Sequence, residues 1–114
     1  MKTYDIICIG AGSGGLNIAG FMNRAGFNVL LIDKSDTHIG GDCLNFGCVP
    51  SKAFIHAART VHHATQAKEF GISINTTGKA DLKKVKEYVQ SKVEHIRTHE
   101  NANYFRKKGM DVVL

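Results

Sequence analysis

Six residues, Gly10-Ala11-Gly12-Ser13-Gly14-Gly15, limit this chain more than any other stretch, because of what lies on either side. Before them Tyr4 to Ile9 reads Y-D-I-I-C-I, an apolar, β-branched run without alternation, as in a strand buried on both faces of a parallel sheet. After them Leu16, Ile18, Ala19, Phe21, Met22 and Ala25 recur at helical spacing, and Gly26 stops the helix. Asn28 to Ile32 (N-V-L-L-I) is a second buried strand, closed by Asp33. Strand, glycine turn, helix and strand in about 30 residues make a βαβ unit. The expected class is α/β, with a Rossmann-like parallel sheet.

Each glycine of Gly10-x-Gly12-x-x-Gly15 has a physical reason. Gly10 permits a tight turn, Gly12 lets a pyrophosphate approach the backbone, and Gly15 lets helix and strand pack closely. Amides at the helix start then face the phosphates, aided by the helix dipole. Asp33, 18 residues beyond Gly15, is placed to accept from a ribose hydroxyl and to disfavour a 2′-phosphate. These residues indicate a dinucleotide site and leave FAD and NAD open.

A second stretch, "GGDCLNFGCVPSK" from Gly40 to Lys52, puts two cysteines five apart among glycines. In an ideal helix that separation is about 8–9 Å between Cα atoms, beyond the roughly 7 Å a disulfide tolerates. If the two bond, regular helix has not begun at Cys43. Lys34 to Gly47 therefore reads as a loop, with a helix from Ser51 to about Glu69 and Pro50 in its first turn. A thiolate at a helix N-terminus has a lowered pKa, which points to Cys48, with Lys52 one turn on. This suits a reversible redox pair. A metal site is the main rival, and zinc needs a second ligand pair that His56, His62-His63 and Cys8 do not form. No metal is expected, and Cys8 reads as a small buried apolar residue.

The remainder is less specific. Ile72-Ser73-Ile74 reads as extended, Asn75-Thr76-Thr77-Gly78 as a turn, and Asp81 as the N-cap of a long helix striped by Leu82, Val85, Val89, Val93 and Ile96. That helix restarts near Asn101 and ends at Gly109, before a strand from Met110 to Leu114. The chain stops inside this strand, as a fragment would. Its 114 residues carry a net charge of +5, but the basic residues interleave with Glu87, Glu94 and Glu100 as on a solvated helix face. Without aromatic interleaving this is no nucleic-acid footprint. No apolar run is long enough for a bilayer, no leader pattern stands at the start, and three cysteines fit no secreted disulfide framework, so a cytoplasmic protein is expected.

"IGAGSGG" followed by "GGDCLNFGCVPSK" resembles the class I pyridine nucleotide–disulfide oxidoreductases, the family of dihydrolipoamide dehydrogenase, glutathione reductase and mercuric reductase. The resemblance covers the whole chain. It implies that residues 1–114 are the N-terminal part of an FAD-binding domain, without the NAD(P)-binding and dimer-interface domains of longer relatives. It implies FAD at the first dinucleotide site, NAD(P)H as electron donor to the full-length parent, and a homodimer. Cys43 then resembles the interchange cysteine, Cys48 the flavin-proximal cysteine, and Lys52 the lysine near flavin N5. Gly10, Gly12, Ser13, Gly14, Gly15, Asp33 and Lys34 match the nucleotide side of the FAD site, and Gly41 and Asp42 its pyrophosphate and flavin approach. Asp42 replaces the more usual threonine. "GGDCLN" and "RTHENANYFRKKGMDVV" look most like a mercuric-reductase-like branch. The implied activity passes electrons from NAD(P)H through FAD to a Cys43–Cys48 disulfide and on to a small-molecule, disulfide or metal-ion oxidant. A piece of this length would be inactive alone, and a non-catalytic FAD- or nucleotide-binding fragment is the alternative.

Overall fold

The computed structural model describes every residue except Thr76 and Thr77, so the middle of the expected turn lies outside the described residues. Three strands, β1 (Ile6–Ile9), β2 (Val29–Ile32) and β3 (Asp111–Val113), form one parallel sheet in the order β1-β2-β3. Ile6 pairs with Val29 and Ile9 with Ile32, while Leu30 pairs with Asp111 and Ile32 with Val113. Five helices complete the described residues: α1 (Ser13–Arg24), α2 (Gly41–Asn45), α3 (Cys48–Gln66), α4 (Leu82–Arg97) and α5 (Ala102–Lys107). The expected α/β class with a parallel sheet is what forms.

The core lies on one side of the sheet. Cys8, Val29, Leu31 and Val112 are buried there with Ala11, Ala19, Ile39, Ala102, Phe105 and Met110. Period-two alternation sends Ile7, Ile9, Leu30, Ile32 and Val113 to the opposite face. There Ile7 is 54% and Ile9 84% exposed, so β1 is not buried on both faces as its composition indicates. In α1 the same correction applies to Ile18 and Phe21, which are exposed, while Ala19 is buried.

Local chemistry sets most of the boundaries. Asp81 caps α4 by accepting from the amides of Lys83 and Lys84, and Asn101 caps α5 through the amide of Tyr104. Gly71 and Gly109 stop their elements with φ of +75° and +92°, in the left-handed region. Residues 34–47 depart from the expected loop. They hold a short 3-10 turn at Asp36–His38 and the helix α2, which contains Cys43. The long helix also begins earlier than expected, at Cys48, followed by a 3-10 turn at Ala67–Phe70. No helix is long and apolar enough to cross a membrane among the described residues.

Candidate functional site

The glycine turn is built as its spacing requires. Gly10 has φ +97°, and a Cβ on Gly15 would lie 2.0 Å from the Gly10 carbonyl oxygen, so strand end and helix start touch backbone to backbone. Gly12 is the N-cap of α1, which has no side-chain cap and no acidic residue in its first turn. Its leading amides are thus left for a ligand. A Cβ on Gly14 would meet nothing within 4 Å, so the cradle is open there.

Asp33 closes β2 and is tied to this turn. Its Oδ2 accepts from the Ala11 amide at 2.7 Å, and its Oδ1 accepts from the Lys34 amide at 2.7 Å and faces His38 Nδ1 at 3.1 Å. Its side chain is only 5% exposed. Burial pushes the carboxyl up, but the amides of Ala11 and Lys34 and the His38 ring together hold it below the usual carboxylate range. Oδ2 still has acceptor capacity for a hydroxyl. Lys34 itself is exposed.

The cysteine segment docks directly onto the turn. The Gly40 amide donates to the Ala11 carbonyl at 2.8 Å. Gly41, with φ +59°, lies so close that a Cβ on it would sit 2.8 Å from the Gly12 Cα. Gly12 therefore serves two surfaces, since it also admits α2. Past Cys43 the chain breaks at Phe46 and Gly47. The amides of Phe46 and Gly47 both donate to the Asp42 carbonyl, at 2.9 and 2.6 Å. A Cβ on Gly47 would be 3.0 Å from that oxygen, so glycine allows the fold-back that sets Cys48 beside Cys43. Asp42 is exposed in the first turn of α2, and Lys52 is exposed on α3.

Both thiols are free, and each is the largest influence on the other's titration. Cys43 is held below the ordinary thiol range, first by the Cys48 thiol, then by the Ser13 hydroxyl, the Cys48 amide and the charge on Lys52, against modest desolvation. Cys48 is pushed up because it donates to Cys43 and would face a charge there. Within the pair the lowered value falls on Cys43 and the raised one on Cys48, because the two sulfurs titrate together. Cys48 is the first residue of α3, and its amide favours the thiolate on either sulfur, while the Ser13 hydroxyl acts on Cys43.

A cavity of about 690 Å³ opens beside Cys43. One wall is the α1 stripe Ser13, Leu16, Asn17, Gly20 and Arg24, and the other carries His95, His99, Glu100, Tyr104 and Lys108. Sequence reasoning missed several parts of this site. Glu100 lies with Oε2 only 2.8 Å from where a Gly40 Cβ would be. Arg97 donates to Asn45 Oδ1 at 2.7 Å and to the Thr37 carbonyl at 3.1 Å, while Asn45 donates to the Gly41 carbonyl at 2.8 Å. These contacts span 52 and 60 residues and leave no local signal. His38, five residues after Asp33, had a short-range signal that could have been read. Among the described residues no group of three or more His, Cys, Asp or Glu is placed to hold a metal ion.

The sequence profile of the family described as pyridine nucleotide-disulphide oxidoreductase matches residues 4–113. The chain belongs to this family. Among its relatives, a dihydrolipoyl dehydrogenase of Thermus scotoductus is 46% identical over 85 residues, 75% of this chain and 18% of that protein. A dihydrolipoyl dehydrogenase of Rhizobium etli is 32% identical over 113 residues, 98% of this chain and 23% of that protein. A solved structure, the Cu(II) complex of a cysteine-to-serine mutant of the HOCl-induced flavoprotein disulfide reductase RclA from Escherichia coli, superposes with a TM-score of 0.72 at 25% identity. It covers 99% of this chain and 22% of that one. The chain thus spans about a fifth of the length of these family members.

Proposed function

We propose that residues 1–114 are the N-terminal part of the flavin domain of an FAD-dependent disulfide oxidoreductase, dihydrolipoyl dehydrogenase- or mercuric reductase-like. Its parent is read as a cytoplasmic homodimer fed by NAD(P)H. The observation that carries this reading is the Gly12–Gly41 contact, which joins the glycine turn and the segment of the two free, mutually titrating thiols into one site.

The residues fit FAD. The uncapped start of α1, with Gly10, Gly12, Ser13, Gly14 and Gly15, would hold the pyrophosphate, and the free capacity of Asp33 Oδ2, with Lys34 beside it, would face the ribose. Gly41, Asp42 and Lys52 flank the approach to the thiols. When bound, FAD supplies two-electron exchange between a nicotinamide and the disulfide. The protein's own part is thiol chemistry. Cys43, as the thiolate, attacks an oxidised substrate sulfur, and the substrate's S–S bond breaks as its first thiol leaves with a proton. The Cys48 thiolate then attacks the Cys43 sulfur, which releases the second thiol and leaves a Cys43–Cys48 disulfide. Two electrons have passed to the substrate.

The test has two measurements on one preparation. Equilibrium dialysis should find FAD retained, and lost in Gly12→Val. Mass spectrometry after equilibration in a glutathione redox buffer should find a reversible Cys43–Cys48 disulfide. Retention of FAD with no such disulfide would favour the non-catalytic nucleotide-binding alternative. Failure of both would end the proposal.

A further inference from the structure

The two oxygens of the Asp33 carboxylate are not equally free. Oδ2 accepts from the Ala11 amide of the glycine turn at 2.7 Å. Oδ1 meets two donors, the Lys34 amide at 2.7 Å and His38 Nδ1 at 3.1 Å. A carboxylate oxygen offers about two lone-pair sites. Oδ1 is therefore filled, and Oδ2 has one site left. The carboxyl lies below the usual carboxylate range, so near neutral pH it only accepts. The proton in its contact with His38 accordingly sits on Nδ1 of the ring.

A braced turn delivers this ring. His38 ends the 3-10 turn Asp36–His38, and each residue of that turn is engaged. Asp36 Oδ1 accepts from the amide of Ala102, the first residue of α5, at 2.6 Å. The Thr37 carbonyl accepts from Arg97 Nη1 at 3.1 Å. These bonds reach across 66 and 60 residues, so α4 and α5 fix where the ring stands. The His38 amide donates to the Ser35 carbonyl at 3.1 Å, and Ile39 after it is fully buried. An Asp side chain by itself turns easily about χ2, whose distribution is broad and two-fold. The Ala11 amide and the His38 ring, gripping opposite oxygens, stop that rotation.

Resting on the nucleotide reading of the glycine turn above, we infer that His38 is a positioning residue of the nucleotide site, which fills Asp33 Oδ1 and leaves Oδ2 as the single acceptor for one ribose hydroxyl. The second of the two vicinal hydroxyls finds Oδ1 occupied. Without the ring, Oδ1 regains a free site, the carboxylate can turn, and either hydroxyl can be taken.

Calorimetric titration of the protein with ADP, 2′-deoxy-ADP and 3′-deoxy-ADP tests this, ADP being the adenosine and pyrophosphate part of FAD. One deoxy nucleotide should bind about tenfold more weakly than ADP, the scale of a hydrogen bond to a charged acceptor. The other should match ADP. His38→Phe keeps a ring without a donor, and in it the two deoxy nucleotides should bind alike. His38→Asn, whose side-chain N–H can stand where Nδ1–H does, should keep the tenfold difference. Independently of any variant, long-range nitrogen–proton NMR correlations should show the neutral His38 ring protonated at Nδ1. Equal affinity of the parent for the two deoxy nucleotides, a difference that survives in His38→Phe, its loss in His38→Asn, or a neutral ring protonated at Nε2 would each overturn the inference and leave the nucleotide reading intact. No binding of ADP would overturn both, since the glycine turn and Asp33 face that half of FAD.

Discussion

At the level of single residues, the thiol pair behaves as one titrating unit, because each sulfur is the largest influence on the other's ionisation. Cys48→Ala removes the largest influence that lowers Cys43. The pH midpoint for alkylation of Cys43 by iodoacetamide should then move up toward the ordinary thiol value, near 8.5. An unchanged midpoint would mean that Ser13 and Lys52 set it instead. Glu100 moves the other way. Burial raises its carboxyl, with the Arg97 charge a weaker opposing influence. The folded state then holds its proton to higher pH than the unfolded state, so this group's contribution to stability falls as pH rises from about 4.3 through the folded value. Glu100→Gln should therefore be more stable than the parent in urea unfolding at pH 7 and match it at pH 4. An equal difference at both values would locate the effect in packing, not charge.

Among the elements, α2 shows why part of this site was hidden in the sequence. The glycine turn, the Asp81 cap and the restart at Asn101 are local chemistry, and each stands where its residues indicate. A five-residue helix has no such signature, because an isolated helix that short does not pay its nucleation cost. α2 forms on tertiary contacts: Gly41 against Gly12, Leu44 fully buried, and Asn45 held by Arg97. Expecting loop from Lys34 to Gly47 was the natural reading of polar, glycine-rich sequence, and it missed those contacts for that reason. Likewise, β-branched composition marks β1 as a strand but does not say what covers its second face. Arg97→Lys tests the bracing. It keeps the charge near Glu100 but loses the planar fork that reaches Thr37 and Asn45 together. A loss of about 2 kcal/mol in unfolding free energy is expected from charged hydrogen bonds of this kind. Wild-type stability in that variant would show that α2 docks through Gly41 and Leu44 without the Arg97 brace.

For the molecule as a whole, the asymmetry of the sheet decides behaviour in solution. The molecule is elongated, 68 × 26 × 19 Å, with its buried core on one side of the strands. On the other side Ile7, Ile9 and Val113 are each more than half exposed, with Leu30 and Ile32 between them. The outer edge of β1 has no strand partner among the described residues. An apolar face beside an unpaired edge offers both hydrophobic burial and backbone hydrogen bonds to a second chain, the combination that drives edge-to-edge association. The net charge of +5 opposes this, but spread over 114 residues it is screened within about 10 Å at 0.1 M salt. These 114 residues on their own should therefore self-associate at micromolar concentration, more strongly as salt is raised. Ile7→Lys with Ile9→Lys puts two charges on that face without touching the core, because both side chains point away from Cys8 and Leu31. Light scattering should give the monomer mass for this double variant at concentrations where the parent is heavier. If the parent is monomeric at high salt, the open face does not govern association, and the charge on the helices is the stronger influence.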